Sequence, residues 1–149
     1  MKNIVTKIGY RKLRKRLEEL KSRRAELVKE MELTRQEGDL AENSAYHQLR
    51  ETIILVASQI DDIGQKLVHV EIAEKNNNGV VEVGSELVVE VNGQVKNLQI
   101  VGNGESNPLK GKISYQSPIG AGLLGKKRKA VIKIKTPRGT IEYRILEIK

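Results

Sequence analysis

The stretch YRKLRKRLEELKSRRAELVKEMELT, residues 10–34, decides the fold of the first half of the chain. One set of its residues recurs at alternating steps of three and four, which is the a/d repeat of a coiled coil. This seam consists of Tyr10, Leu13, Leu17, Leu20, Arg24, Leu27, Met31 and Thr34. The positions around it are mostly charged, whereas a bundle helix usually carries a wider apolar face. The pattern therefore predicts a helix that packs against a single partner helix.

A second segment repeats the same spacing and supplies the partner. Its seam consists of Tyr46, Leu49, Ile53, Val56, Ile60, Ile63, Leu67 and Val70. When the chain is folded back on itself, the two seams pair residue for residue, from Tyr10 with Val70 to Thr34 with Tyr46. We therefore expect an antiparallel two-helix hairpin centred on Leu40.

The hairpin should be a long rod with a short turn at one end. Thr6 is the expected N-cap of the first helix, and residues 7–36 would extend about 45 Å at 1.5 Å per residue. Arg24, opposite Val56, is the one clear flaw in the seam, and its stem can pack while its charge reaches water. Such a rod would deliver its tip, residues 37–43, to a distant place.

Beyond the hairpin, a polar linker is followed by a different hydrophobic period. EKNNNG, residues 74–79, is typical of a linker. Alternating apolar residues in 86–91 then predict a strand, and Asn92-Gly93 predicts a tight hairpin with QVKNLQIVG as the returning strand. A second hairpin is expected around Thr-Pro-Arg-Gly, residues 136–139.

Two finer features of this region can also be predicted. The apolar positions change parity at Ile145–Leu146, which indicates a β-bulge. Ser117 followed by Pro118 is typical of the start of a short helix. We expect an α+β protein, with a coiled-coil domain over residues 1–75 and a mostly antiparallel β domain with one short helix over residues 76–149.

Composition excludes several classes of function. The chain has 149 residues, a formal net charge of +8 and no cysteine, so it forms no disulfide. Residues 1–24 hold ten basic and two acidic residues, 25–75 hold five and eleven, and 76–149 hold twelve and six. This alternation argues against a uniformly basic nucleic-acid binder. The only aromatic residues are four tyrosines, which argues against a base-stacking platform.

No segment resembles a signal peptide or a membrane span. We therefore expect a cytoplasmic protein with no membrane partner. Because the seam is satisfied within one chain, we also expect a monomer.

The predicted tip carries two carboxylates in GDLAENSAYH, residues 38–47. One interpretation is a capping box, with Asp39 as N-cap of the second helix and Glu42 at N3. The other is a pair of oxygen ligands for Mg²⁺, which is commonly held by one or two carboxylates, water and substrate phosphate. The residues alone leave both open. His47 and His69 lie too far apart along the helix to form a shared metal site.

GDLAENSAYH resembles the tip of the Gre transcript cleavage factors of bacterial RNA polymerase, closest to the GreA type. TKIGYRKLRKRLEEL, residues 6–20, is similar to that family's opening helix. ISYQSPIGAGLLGKKRKAVIKIKTPRGTIEYRILEIK, residues 113–149, is similar to its C-terminal domain, which has an FKBP-like fold. The resemblance covers about residues 6–149.

The resemblance implies a transcription elongation factor that is not itself an enzyme. Its coiled coil would enter the secondary channel of RNA polymerase and stimulate cleavage of the nascent RNA 3′ end in backtracked complexes. Asp39 and Glu42 would be the catalytic pair and would hold Mg²⁺ jointly with the polymerase. The residues expected to support the tip are Gly38, Leu40, Asn43 and Tyr46. Candidates for RNA contact are Arg14, Lys15, Arg35 and Arg50, and candidates for polymerase binding are Ser117, Pro118 and Ile119.

The chain departs from the family pattern at several positions. Ala45 stands where an acidic residue usually precedes the tip tyrosine, and Glu37 where histidine is common. Gly120-Ala121 replaces Ala-Arg, and residues 103–107 replace an acidic loop. The alternative functions are a non-cleaving regulator that binds the same channel and inhibits the polymerase, and a general DNA- or RNA-binding module.

Overall fold

A computed structural model describes residues 3–38 and 43–149 of the chain. Its helices and strands are β1 (Asn3–Val5), α1 (Lys7–Gln36), α2 (Ser44–Val68), β2 (Val70–Ile72), β3 (Glu86–Val91), β4 (Gln94–Val101), β5 (Lys112–Ser114), α3 (Pro118–Leu123), β6 (Val131–Thr136) and β7 (Gly139–Ile148), with a single 3₁₀ turn at Pro108–Lys110. The chain divides into two compact units, a hairpin unit of Arg11–His69 and a sheet unit that combines Met1–Tyr10 with Val70–Lys149.

The hairpin unit is the predicted pair of helices. Between residues 11 and 36, every residue that is buried or half-buried occupies a seam position. Leu20, Leu27 and Val56 are the buried residues of its core, and the seam residues Leu49, Ile53, Ile60 and Ile63 pack around them. Arg24 is exposed, as expected for the charged position in the seam. The a/d spacing was therefore sufficient to identify which side of each helix is buried.

The seam ends at Leu67, one seam residue earlier than predicted. Helix α2 stops at Val68 with His69 as its C-cap, and Val70 lies in strand β2, where it is the register partner of Asn3. The predicted pairing of Tyr10 with Val70 is therefore wrong. Parallel pairing of β1 with β2 gives the backbone groups of this segment hydrogen-bond partners that further helix would otherwise have supplied.

The sheet unit contains a five-stranded sheet in the order β5-β4-β3-β7-β6. All of its strand pairs are antiparallel except β4 with β5. Both predicted hairpins are present: Val91 pairs with Gln94, and Thr136 pairs with Gly139. Asn92 and Gly93 have φ values of +52° and +76°, the positive values that a two-residue I′ turn requires.

The predicted bulge is also confirmed. Val88 pairs with Glu147 while Val89 pairs with Ile145, so Leu146 is the extra residue on β7. The core of this unit lies on the α3 side of the sheet, where Leu123 is fully buried. Its buried members are Val81, Val83, Leu87, Val89, Val91, Ile100, Leu123, Ile132, Ile134, Tyr143 and Ile145.

The compact units divide the chain differently from the predicted boundary between residues 75 and 76. The first ten residues cluster with the sheet unit, because β1 pairs with β2 and the loop after β4 contacts both β1 and the start of α1. Within residues 3–38 and 43–149, none of the helices is long and apolar enough to cross a membrane.

Candidate functional site

Asn43 joins the end of α1 to the start of α2. It is the N-cap of α2, where its Oδ1 accepts a hydrogen bond from the backbone N–H of Tyr46 at 3.1 Å. Its Nδ2 donates to the carbonyl oxygen of Thr34 in the last turn of α1 at 3.0 Å, and the same oxygen accepts from the Glu37 N–H at 3.2 Å. One side chain therefore satisfies a free donor at the start of α2 and also bonds to the last turn of α1.

This arrangement corrects the capping interpretation of the tip. Helix α2 begins at Ser44 and is capped by Asn43, so a capping box with Asp39 as N-cap and Glu42 at N3 is wrong for this helix. Asp39, Leu40 and Glu42 themselves lie outside the described residues. With the capping role assigned to Asn43, the two carboxylates keep the metal-binding role as a prediction.

The other tip residues that the structure describes are Gly38 and Tyr46. Gly38 is exposed, and a Cβ added there would contact none of the described residues within 4 Å, so packing against them does not require glycine at this position. Tyr46 is half-buried in the seam, and its ring meets that of His47 edge-on, with centroids 5.7 Å apart. Tyr46 is therefore held at the start of α2 by its backbone bond to Asn43 and by its place in the seam, and its role in supporting the tip stays a prediction.

The first turn of α2 contains no acidic residue. Ala45 is its second residue and is exposed, so an acidic side chain there would find room. Carboxylates are favoured near a helix N-terminus because of the positive end of the helix dipole. The departure at Ala45 therefore removes one negative charge beside the tip and one favourable interaction with the helix.

The four candidates for RNA contact, Arg14, Lys15, Arg35 and Arg50, are all exposed on the hairpin. Twenty-one residues, or three heptads, separate Arg14 from Arg35, so they share one face of α1 near its two ends. Arg35 also forms an ion pair with Glu32 at 3.8 Å, which is exposed and therefore weak. Their role in binding RNA stays a prediction.

In the segment Ser117–Ile119, two residues serve the fold and one is exposed to solvent. Ser117 Oγ donates to the Ser114 carbonyl at 2.7 Å and accepts from the Gly120 N–H at 3.0 Å, so the side chain predicted as an N-cap is committed to capping α3. Ile119 packs against the sheet core, whereas Pro118 is exposed. Among the three candidates for polymerase binding, Pro118 is the most accessible.

The glycine at 120 has a local steric reason. Gly120 is buried, and a Cβ there would overlap the carbonyl oxygen of Ser114. The turn between β5 and α3 therefore passes too close for an alanine at position 120. Ala121, in contrast, is exposed, so an arginine could be accommodated there without repacking.

Glu105 organises a cluster that the sequence analysis missed. Its Oε2 accepts from the backbone N–H groups of Thr6 at 3.0 Å and Gly102 at 2.9 Å, and its Oε1 accepts from the Thr6 hydroxyl. Thr6 Oγ1 accepts in turn from the Gly9 N–H at 3.0 Å, which confirms Thr6 as the N-cap of α1. The carboxylate thus lies at the N-terminus of α1, where the helix dipole favours a negative charge.

Two glycines make room for this carboxylate. A Cβ on Gly9 would overlap the Glu105 carboxyl group, and a Cβ on Gly102 would lie 2.5 Å from its Oε2. The sequence signal was present as two glycines and an acid, but 99 residues separate Thr6 from Glu105. No local pattern indicates that they meet.

The described residues contain no group of three or more His, Cys, Asp or Glu side chains that could hold a metal ion. Asp39 and Glu42, which the sequence analysis assigned to the tip, stay the predicted Mg²⁺ ligands. Carboxylate oxygens fit the preference of Mg²⁺ for hard oxygen ligands.

Comparisons with known proteins identify the family. The model of the N-terminal region of the transcription elongation factors matches residues 3–72, and the GreA/GreB C-terminal model matches residues 75–149. The chain belongs to the GreA/GreB family of transcription elongation factors.

Individual members of the GreA/GreB family match along nearly their whole length. The chain is 36% identical to transcription elongation factor GreA of Thermomicrobium roseum over 148 residues, which cover 97% of this chain and 95% of the relative. It is 41% identical to GreA of Buchnera aphidicola subsp. Baizongia pistaciae over 150 residues, with 97% and 94% covered. The crystal structure of GreA factor homolog 1 of Thermus thermophilus matches at 28% identity and a TM-score of 0.48, covering 100% of this chain and 99% of that one.

Proposed function

We propose that this GreA/GreB family member binds bacterial RNA polymerase, inserts its hairpin unit into the secondary channel and stimulates the polymerase's own cleavage of backtracked nascent RNA. The factor supplies side chains to an active centre that belongs to the polymerase, so it is not a free-standing enzyme. It acts in the cytoplasm as a monomer and rescues elongation complexes that have stalled after backtracking.

The observation that carries the proposal is the joint at Asn43. It ties the end of one long helix to the start of the other, on either side of the segment that contains Asp39 and Glu42. All the buried side chains in the described part of Arg11–His69 lie in the seam that the two helices share, so the hairpin can be surrounded by another molecule without losing its own core. These properties suit a rigid probe that presents a short acidic segment to a partner.

The role of Asp39 and Glu42 is to provide oxygen ligands for a Mg²⁺ shared with the polymerase. When bound, Mg²⁺ would lower the pKa of an attacking water and stabilise the leaving oxygen in phosphodiester hydrolysis. Two carboxylates are too few to complete its octahedral coordination. The remaining ligands therefore come from the polymerase and from RNA, and the factor alone does not retain the ion.

The decisive experiment is RNA cleavage in a backtracked elongation complex. With Mg²⁺ and the parent protein, the RNA should shorten from its 3′ end. The double variant Asp39→Asn, Glu42→Gln preserves side-chain size and removes both charges, and we expect cleavage to fall on the order of a hundredfold, comparable to loss of a key electrostatic group in an active site. Equal cleavage by parent and double variant would show that the acidic pair does not bind the metal.

A matched control is Glu51→Gln, an exposed glutamate on α2 away from the tip, which should leave cleavage unchanged. Polymerase binding is measured separately, by competition with labelled parent protein. If the parent protein binds and blocks nucleotide addition without shortening RNA, the protein is a non-cleaving channel regulator. If it shifts free DNA or RNA and does not affect the polymerase, it is a general nucleic-acid-binding module.

A further inference from the structure

The sheet unit contains an open pocket of about 440 Å³ that none of the residues assigned above explains. It is lined by Arg128, Lys129, Val131, Arg144, Ile145 and Leu146. Val131 and Leu146 supply apolar lining, and Arg128, Lys129 and Arg144 supply positive charge, whereas the side chain of Ile145 is fully buried in the core. Val131, the first residue of β6, is 47% exposed, so its apolar side chain is accessible to a ligand.

Backbone contacts hold the basic residues against the bulge of β7. Arg128 Nε donates to the carbonyl of Leu146 at 3.1 Å, and the Lys129 N–H donates to the carbonyl of Ile145 at 2.8 Å. Because the bulge and the loop before β6 are bonded to each other, the pocket is a fixed feature of the fold.

Lys129 adopts a conformation that normally favours glycine. Its φ is +70°, in the left-handed region, where a side chain costs roughly 1–2 kcal/mol. Strained backbone of this kind is concentrated at sites with a function. The chain places a charged lysine here, beside the pocket, instead of the glycine that the turn would favour.

The basic residues around the pocket have no carboxylate in ion-pair contact within the part of the chain that the structure describes. Among residues 3–38 and 43–149, Arg128, Lys129 and Arg144 form no ion pair with an aspartate or glutamate. Glu90 is the register partner of Arg144 in the sheet, yet the two do not form an ion pair. Four further lysines are exposed on the same loop and strand, namely Lys126, Lys127, Lys133 and Lys135.

We propose that this basic pocket, lined by Arg128, Lys129, Val131, Arg144, Ile145 and Leu146, binds an acidic segment of a partner protein that inserts one apolar side chain. The apolar side chain would contact Val131 and Leu146, while neighbouring carboxylates would face Arg128, Lys129 and Arg144. Arginine forms favourable bidentate contacts with carboxylates. An apolar lining between basic groups suits a peptide better than a phosphate backbone, and the lining has no aromatic side chain on which a base could stack.

The proposal can be tested with defined peptides and the full-length protein. The probe is a fluorescently labelled short peptide of aspartate and glutamate with one central leucine, and binding is followed by fluorescence anisotropy. We expect saturable binding that weakens about tenfold or more when leucine is replaced by serine, and likewise when the acids are replaced by asparagine and glutamine. Failure of the parent protein to bind saturably would overturn the proposal.

Two variants of the protein locate the site. Arg144→Glu should weaken binding of the acidic peptide at least about tenfold, because it places like charges together. Lys129→Gly also removes a charge and relieves the left-handed backbone, so it should fold at least as well as the parent and weaken binding severalfold. Circular dichroism verifies that each variant is folded.

The matched control is Lys96→Glu, which makes the same change in net charge at an exposed position on β4. It should affect binding much less than Arg144→Glu. Equal weakening by the two changes would mean that only net charge attracts the peptide, which contradicts a specific pocket. Displacement of the peptide by single-stranded RNA at a lower concentration than by unlabelled peptide would assign the surface to nucleic acid and also contradict the proposal.

Discussion

The two units of this protein achieve order in different ways. The hairpin unit buries a single stripe of side chains, with three buried residues in its core cluster, whereas the cluster of the sheet unit has eleven. Contacts in the hairpin repeat every three or four residues, but the sheet unit depends on joints such as that between Thr6 and Glu105. The hairpin therefore has a small core built from similar, repeated contacts. The sheet unit has a larger core and, in addition, individual contacts between distant parts of the chain that no neighbouring residue repeats.

The largest expected effects come from removing a core side chain in each unit. Leu27 is 2% exposed and Ile145 is fully buried, so Leu27→Ala and Ile145→Ala should each cost about 2–5 kcal/mol. If the units are independent, Leu27→Ala will reduce amide hydrogen-exchange protection in α1 and α2 only, and Ile145→Ala will reduce it in β3–β7 only.

Val28→Ala is the control for the hairpin, because Val28 adjoins Leu27 but is 37% exposed. It should cost much less than Leu27→Ala. Loss of protection throughout the molecule after either core substitution would show that the two units unfold as one, and the comparison above would fail.

The next largest effect concerns Glu105. Glu105→Ala removes the acceptor for two backbone N–H groups and the Thr6 hydroxyl, which should cost about 1–3 kcal/mol because the donors are left partly buried. Glu105→Gln retains one carbonyl acceptor and should cost less. Thermal unfolding followed by circular dichroism ranks the three proteins, and a glutamine variant that is as unstable as the alanine variant would contradict this explanation.

Asn43 tests the joint between the helices. Asn43→Ala should destabilise the hairpin by about 0.5–2 kcal/mol, as expected for loss of an N-cap, and should also reduce stimulation of RNA cleavage if the joint positions the tip. Asn43→Asp retains the acceptor for the Tyr46 N–H but loses the donor to the Thr34 carbonyl. An aspartate variant that keeps stability but loses activity would show that the bond between helices matters more than the cap.

The smallest expected effect is an increase in the stability of the hairpin unit. Arg24 occupies a seam position but is exposed, so Arg24→Leu should extend the apolar stripe and raise the free energy of unfolding by about 1 kcal/mol. Arg23→Leu, at the neighbouring exposed position outside the seam, should give no gain. Denaturant unfolding measures both. If the two changes have the same effect, the seam at this level is not packed as a coiled coil.

The regions that could be predicted from the sequence are those whose signals are local. The seam, the turn at Asn92-Gly93, the bulge at Leu146 and the cap at Ser117 each depend on residues only a few positions apart. Strands β1 and β2 have three residues each, too few for a period to be visible. Glu105 was missed because its partners lie at the other end of the chain.

The N-cap of α2 was assigned to the wrong residue because its sequence signal is local but not specific. Asp39 and Glu42 match the spacing of a capping box, but Asn43 lies next to the first turn of α2 and takes that role. Spacing alone cannot decide which of several nearby polar residues marks the first turn of a helix. The assignment of Asp39 and Glu42 to Mg²⁺ depends on a partner whose ligands this sequence does not contain.

The matched repeat of the two helices makes the length of the hairpin adjustable. Inserting one heptad into each helix at opposing levels would move the turn outward by about 10 Å while every seam residue keeps its partner and strands β1 and β2 keep their register. Removing one heptad from each would shorten it by the same step. The length of the hairpin can therefore change only in steps of paired heptads, and it could be redesigned to be longer or shorter without altering the sheet unit.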